Sequence, residues 1–426
     1  GAQAGPGVAM SESGERPRLR ALEAFPVEQE GRRAVALRDP AGFTDHVAVL
    51  PIPLLDLVSL FDGEHSIAEM QEIVRERHGQ APTAEQIRAI VTQMDDAGFL
   101  DSPRFAERQR QIDEAFHESP VRPAAHAGTA YAGEAQGLRA QLDSFFPHTE
   151  GPGARRSVLL GPDRAPAAAA LSGLIAPHID FHRGGPTYAW AYRELAERSD
   201  ADLFIILGTC HVGMPDPFAA TLKPYETPLG QARADRDFLE ALGRRYGHDL
   251  LASEGAHRIE HSVEFQVVML QYLFGDRRPF TIVPLLASFL HEAVWRRSDP
   301  EADPRVPRFI EALGETMAAS ARRVCLVAGV DLAHVGPRFG DVAPNTEALL
   351  QDVERQDRVM LRAVTAGDPL GFFGAVSLDG DARRICGLSP IYTFLRALPA
   401  VEGRLLRYTQ WPDPEGAVTF CAAAFP

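Results

Sequence analysis

Short segments scattered along this chain carry side chains able to do chemistry, and two of them follow directly on apolar runs. Ala176-Pro-His178-Ile-Asp180-Phe-His182 comes after Ser172-Gly-Leu-Ile-Ala176, and Leu207-Gly-Thr-Cys210-His211 closes the run that starts at Leu203. An imidazole fixed at a strand end is a good ligand for a borderline metal such as iron, copper or zinc, although a single histidine there serves equally as a hydrogen-bonded loop residue. Val330-Asp331-Leu-Ala-His334 sets a carboxylate and an imidazole three residues apart, which lets both share one face of a turn or of a first helical turn. Arg384-Ile-Cys386-Gly-Leu-Ser389-Pro puts a cysteine at a strand-to-helix junction, where a helix N-terminus or a metal would stabilise its thiolate. In Glu260-His261-Ser-Val-Glu264, His261 and Glu264 stand one helical turn apart, so both can face one cleft; the same spacing fits a solvated amphipathic helix.

The elements that must position these groups alternate strand-like apolar runs with helical stretches. The clearest strands are Ser172–Ala176, Leu203–Leu207, Thr281–Leu286 and Val324–Ala328. That alternation predicts an α/β domain, a mixed central sheet flanked by helices, over residues 120–426. Open α/β sheets keep their sites on loops just past the carboxyl ends of the strands, where these reactive residues fall.

Composition narrows the partners. A net charge of -15, from 43 basic against 58 acidic residues, argues against a nucleic-acid backbone, which is bound through clustered Lys and Arg. With 45% hydrophobic and 24% charged residues and no run long enough to cross a bilayer, the chain reads as an ordinary globular protein with a cytoplasmic address and no membrane partner. The four cysteines, Cys210, Cys325, Cys386 and Cys421, lie far apart without a CxxC pair, which fits reduced thiols and leaves room for a metal ligand. Residues 1–22 are small, polar and rich in Pro and Gly, the composition of a disordered lead-in.

Residues 23–103 read as a small α+β module. Phe25 to Leu37 alternates around Gly31 as a hairpin does; Leu54–Phe61 has helical spacing and stops at Asp62-Gly63; Ser66 caps the stretch from Ile67 to Arg77; a further helix starts at Thr83 and ends before Gly98-Phe-Leu100. Two strands, three helices and an apolar tail describe a winged-helix-like domain. Its order, with "LLDLVSLFDGEHSIAEM" and "IVTQMDDAGFL", is similar to PqqD-like domains, which implies a leader-peptide partner; a generic helical accessory domain has the same outline. Residues 104–119 are charged and helical, as a connector would be.

Taken in order, "APHIDF", "ILGTCH", "YETPLG", "EHSVE", "VDLAHVGPRFG" and "ICGLSPI", preceded by Arg122 to Tyr131 and Leu138 to Leu142, resemble the Memo family, the B component of the AmmeMemoRadiSam system. The resemblance implies a fold like that of class III extradiol dioxygenases. It implies a metal site at His178, His211 and Cys386, with Asp331 and His334 lining the same cleft. Fe2+ is then the expected metal, since two histidines and one anionic ligand with open positions suit non-haem iron; the softer thiolate also admits copper. His334, Asp331, His261 and Glu264 are candidate proton carriers for an oxidoreductase of unspecified small-molecule or peptide substrate. Radical SAM and AMMECR1-like proteins are the partners that the system's name implies. A protein that holds metal without turnover, or a peptide-binding adaptor, has the same motifs. The chain departs from its relatives after His178, where Ile-Asp-Phe-His adds Asp180 and His182 as further candidate ligands or acid/base groups. Cys210 replaces a usual serine and Ser389 stands where some relatives have histidine.

Overall fold

A computed structural model of the chain describes residues 15–153, 170–399 and 401–426. The chain divides into two compact units, residues 1–118 and 119–426.

In the first unit an antiparallel sheet runs β1 (Glu23–Gln29), β2 (Arg32–Arg38) and β3 (Val47–Pro51). Its hairpin turns on Glu30 and Gly31, both at positive φ, the two-residue turn whose twist matches paired strands. β3 extends the expected pair to three strands. Its exposed Val47 and Val49 and terminal Pro51 give it the weak pattern of a short edge strand, which hides it in the sequence. The helices Ile67–His78 and Ala84–Asp96 begin at full capping boxes, Ser66 with Glu69 and Thr83 with Gln86. Their apolar faces close over Leu37, Leu57 and Phe99. The helix Pro103–Glu118, expected as a connector, falls within this unit. Of the expected lead-in, residues 1–14 lie outside the described residues. The part from 15 onward is held down: Leu19 and Arg20 donate backbone hydrogen bonds to the Phe61 and Phe99 carbonyls, and Arg20 pairs with buried Asp39 at 3.1 Å.

The second unit is built on an eight-stranded mixed sheet. Strands β4 (Gly173–Ala176), β5 (Leu203–Thr209), β9 (Thr281–Ala287) and β10 (Val324–Gly329) are its parallel centre. The sheet is completed by β6 (Phe218–Ala220), β11 (Asp331–Val335), β12 (Arg404–Asp413) and β13 (Gly416–Phe425) in the order β11-β13-β4-β10-β5-β9-β6, with β12 on β13. A separate ribbon joins β7 (Tyr225–Thr227) to β8 (Gly230–Ala232). The central strands are buried on both faces, which explains why they read as unbroken apolar runs. Leu174, Phe204 and Val327 pack with the helices Phe181–Arg198 and His261–Phe274; Ile175, Ile205 and Leu326 pack on the opposite side with Leu388–Ala397 and Arg305–Ala319. Gly329 pairs with both Ala176 and Gly208, so β4, β10 and β5 end level and release their following residues on one edge. Among the described residues no helix is long and apolar enough to cross a membrane.

Candidate metal centre

His178 follows β4 by two residues, and every polar atom that fixes it comes from the neighbouring strand ends. Its backbone N–H donates to Asp331 Oδ1 at 2.9 Å, as does that of Ile179 at 3.1 Å. Its ring Nδ1 meets the Gly329 carbonyl at 3.0 Å, and a carbonyl can only accept, so the proton sits on Nδ1 and Nε2 presents its lone pair. His211 follows β5 by two residues and is held in the same manner by Glu260, with Nδ1 2.9 Å from Oε1 and the backbone N–H 3.0 Å from Oε2. A ring nitrogen tied to a carbonyl or carboxylate is how proteins aim the other nitrogen at a metal.

Cys386 completes the cluster from the far end of the chain. Its Sγ lies 3.1 Å from His178 Nε2 and 3.1 Å from His211 Nε2. The Cys386 and Gly387 N–H groups donate to the Leu332 and Asp331 carbonyls, stitching the loop to β11. A Cβ on Gly387 would come within 2.6 Å of Val330 Cβ and 2.9 Å of the Asp331 carbonyl, so only glycine permits this approach. Burial opposes a charged thiolate, but His178 and His211 outweigh it and bring the thiol down to about 6. For His211 burial works against the proton, while Glu260 and Cys386 raise its pKa well above the ordinary value. Two imidazole nitrogens and a low-pKa thiolate converging on one point are a donor set that a first-row transition ion fits.

His261 stands beside them as the first residue of the His261–Phe274 helix. The ligand nitrogens of His178, His211 and His261 all lie within 4.8 Å of one another, and the His211 and His261 rings stack at 4.6 Å and 20°. Gly208 and Gly329 make this possible, because a Cβ at either would strike Ser262, at 2.4 and 2.5 Å. Burial outweighs the pull of Glu260 and, with His211 beside it, holds the pKa of His261 well below the usual histidine range.

Asp331 and His334 line the same edge, on a strand and not on the expected turn or helix. β11 pairs with β13, and its register shifts between Asp331 and His334; such a bulge re-aims side chains that a regular strand would send to opposite faces. Asp331 Oδ2 is 3.6 Å from His178 Nε2. Burial raises its carboxyl to about 6 and lowers the pKa of His334, whose Nδ1 meets the Leu332 carbonyl at 3.1 Å.

The remaining candidates are placed elsewhere. Glu264 is fully buried behind the centre, ion-paired with Arg122 and accepting from Tyr131 Oη and the His126 backbone. The helix that carries it is buried from Ser262 to Phe274 and is not the solvated one its spacing allows. Asp180 caps the Phe181–Arg198 helix and pairs with Arg183 at 2.6 Å; His182 is exposed, with its ring 6.0 Å from Trp411. Ser389 accepts the Phe289 and Leu290 N–H groups. The residue that sequence reasoning missed is Glu260. Its only signal was its place directly before His261. A cleft of about 300 Å³ adjoins the centre, lined by His211, Cys386, Ser288, His291, Asp381 and Arg384.

Comparison with known proteins bears on the same region. The family described as "Memo-like protein" matches residues 122–420. A MEMO1 family protein of Aquifex aeolicus is 25% identical over 387 residues, covering 90% of this chain and 93% of that protein. One from Ignicoccus hospitalis is 32% identical over 316 residues, 72% of this chain and 99% of its own length. The Aquifex match is longer than the 119–426 unit and so extends into the first one. With the site's motifs inside the matched span, the chain belongs to the Memo family.

Proposed function

We propose that His178, His211 and Cys386 hold a redox-active metal, iron(II) first and copper as the alternative, and that the chain is a metal-dependent oxidoreductase. Its substrate, a small molecule or a peptide end, would enter the adjoining cleft. The observation that carries this reading is the position of Cys386 Sγ, 3.1 Å from the Nε2 of each histidine. An iron with open positions would supply oxygen and substrate binding at one ion.

The chain's own residues supply the rest. His178 and His211 are held in place by Gly329 and Glu260 with Nε2 facing the centre, so only the Nε2 proton of His211 has to leave when the donors are called on. Asp331, raised to about 6 by burial and 3.6 Å from His178 Nε2, is tuned to give or take a proton near neutral pH. His334, kept neutral by burial, can accept one from the same edge. The family's resemblance to extradiol dioxygenases favours catechol-like substrates by analogy alone.

The test is oxygen uptake by iron-loaded protein against a panel of catechols and short peptides, beside the Asp331→Asn and His334→Ala variants. Turnover of any class that falls at least about tenfold in either variant supports the reading. Stoichiometric iron without uptake for any of them favours a metal-holding protein. The first unit, by its likeness to PqqD-like domains, is proposed to bind a leader peptide, with radical SAM and AMMECR1-like proteins as system partners. Loss of peptide binding on its removal, with metal content unchanged, checks that role.

A further inference from the structure

We propose that His261 is a fourth donor to the centre, and that Glu260 is the single carboxylate that aims two of the four ligands. This rests on the metal reading given above and goes further, because it alters how many positions the ion keeps for substrate.

Glu260 Oε1 lies 2.9 Å from His211 Nδ1 and 3.4 Å from His261 Nδ1. One acceptor therefore faces the same ring atom of both histidines, and the rings respond by stacking nearly parallel, 4.6 Å apart. Parallel rings anchored by Nδ1 on one side present Nε2 on the other. That is the side where His178 Nε2 and Cys386 Sγ meet His211 Nε2. His178 stands across from the pair, its ring 4.8 Å from His211 and 5.1 Å from His261 at 69° and 74°.

The bland alternative is a core histidine with both nitrogens satisfied. His261 does not fit it: among the described residues its Nε2 makes no hydrogen bond, although the ring is only 30% exposed. The carboxylate that would aim it is itself rigid. Glu260 is buried and accepts the N–H groups of His211 and Ser262 at 3.0 and 2.9 Å. The helix behind it is seated by the missing side chains of Gly208 and Gly329. Each of the three rings thus has an Nδ1 facing a backbone or carboxylate oxygen and an Nε2 left over, the arrangement that metal-binding histidines show.

Three imidazoles and a thiolate close a tetrahedral ion completely, whereas a six-coordinate iron keeps two positions. Under this assignment the chain with zinc is a sealed site, and only a metal of higher coordination leaves room for substrate.

Cobalt(II) titration of the metal-free full chain tests this, since its visible bands report coordination number and its near-ultraviolet band reports the thiolate. His261→Ala and the more conservative His261→Gln should weaken cobalt binding by about tenfold or more and change the visible bands, while keeping the thiolate band. Glu260→Gln should shift both readouts in the same direction by less. If both His261 variants bind within twofold of the parent with an unchanged visible spectrum, while His178→Ala and Cys386→Ala do not bind, the fourth ligand is overturned and the three-ligand centre stands. If the parent chain itself binds no cobalt, both fall together.

Discussion

His211 donates its ring Nδ1–H to Glu260 Oε1 at 2.9 Å and its backbone N–H to Glu260 Oε2 at 3.0 Å, so one buried carboxylate fixes both the position of a candidate ligand and which ring nitrogen faces the centre. Burial opposes the charge of each partner, and each offsets that cost for the other. Glu260 is accordingly held well below the usual carboxylate range and His211 well above the usual imidazole range. A histidine raised in the folded state contributes stability that is fully present below its unfolded pKa of about 6.5 and lost as pH rises through the folded value. In metal-free protein the His211 ring should therefore stay protonated at pH 7.5 by imidazole NMR. Glu260→Gln should return its titration towards the ordinary range; an unchanged His211 titration in that variant would contradict the pairing.

Cys386 should be the reactive thiol of the metal-free chain. Against burial, His178 and His211 bring it to about 6, while burial pushes Cys210 and Cys325 up to about 12 and Cys421 higher still. Iodoacetamide labelling mapped by mass spectrometry should hit Cys386 first, with a rate midpoint near pH 6. A midpoint above pH 8, or prior labelling of another cysteine, would count against the cluster as described.

Asp331 supplies a stability signature of the same sign but in a more acidic window. Its carboxyl is raised by burial from 3.8 to about 6, so its contribution is present while it is protonated, below pH 3.8, and is lost as pH rises through about 6. Asn keeps the acceptor for the His178 and Ile179 N–H groups without the buried charge. Metal-free Asp331→Asn should match the parent near pH 4 and exceed it at pH 8 by up to about 3 kcal/mol, since each tenfold change in a protonation equilibrium is worth about 1.36 kcal/mol. Denaturant melts at the two pH values check this, and a pH-independent difference would refute it.

Behind the centre, Arg122 and Glu264 are both fully buried, and the guanidinium also donates to the His257 and Glu260 carbonyls. Glu264→Gln should cost about 3–5 kcal/mol in urea unfolding, because it strands a buried cation. The Arg122→Met, Glu264→Leu double variant should lose less of the pair's energy but loosen the Glu260 segment, read as weaker cobalt binding. A loss below about 1 kcal/mol in the single variant would mean that water reaches Arg122.

Much of this arrangement is legible before any fold is seen. Strands buried on both faces write themselves as apolar runs, and His178, His211 and Cys386 each sit next to a run or a glycine that marks a chain reversal. What pairs across the sheet is not written that way. Asp331 and His334 look like a helical turn until β13, a strand of small residues with little alternation, pairs with β11 and bulges it. His261 and Glu264 share the first turn of one helix, but Gly208 and Gly329 let that turn seat on the strand tips with His261 at the centre, while Arg122 holds Glu264 on the buried side. Glu260 has no signal of its own, since its role depends on two rings brought to it by separate segments.

The central claim is a metal centre built on His178, His211 and Cys386, and metal analysis of anaerobically purified protein tests it most directly. The parent chain should carry iron or copper near one per chain, and the His178→Ala, His211→Ala, Cys386→Ala triple variant should carry only traces while unfolding at a similar temperature. Equal trace metal in both, after each is offered iron(II) and copper, would contradict the claim.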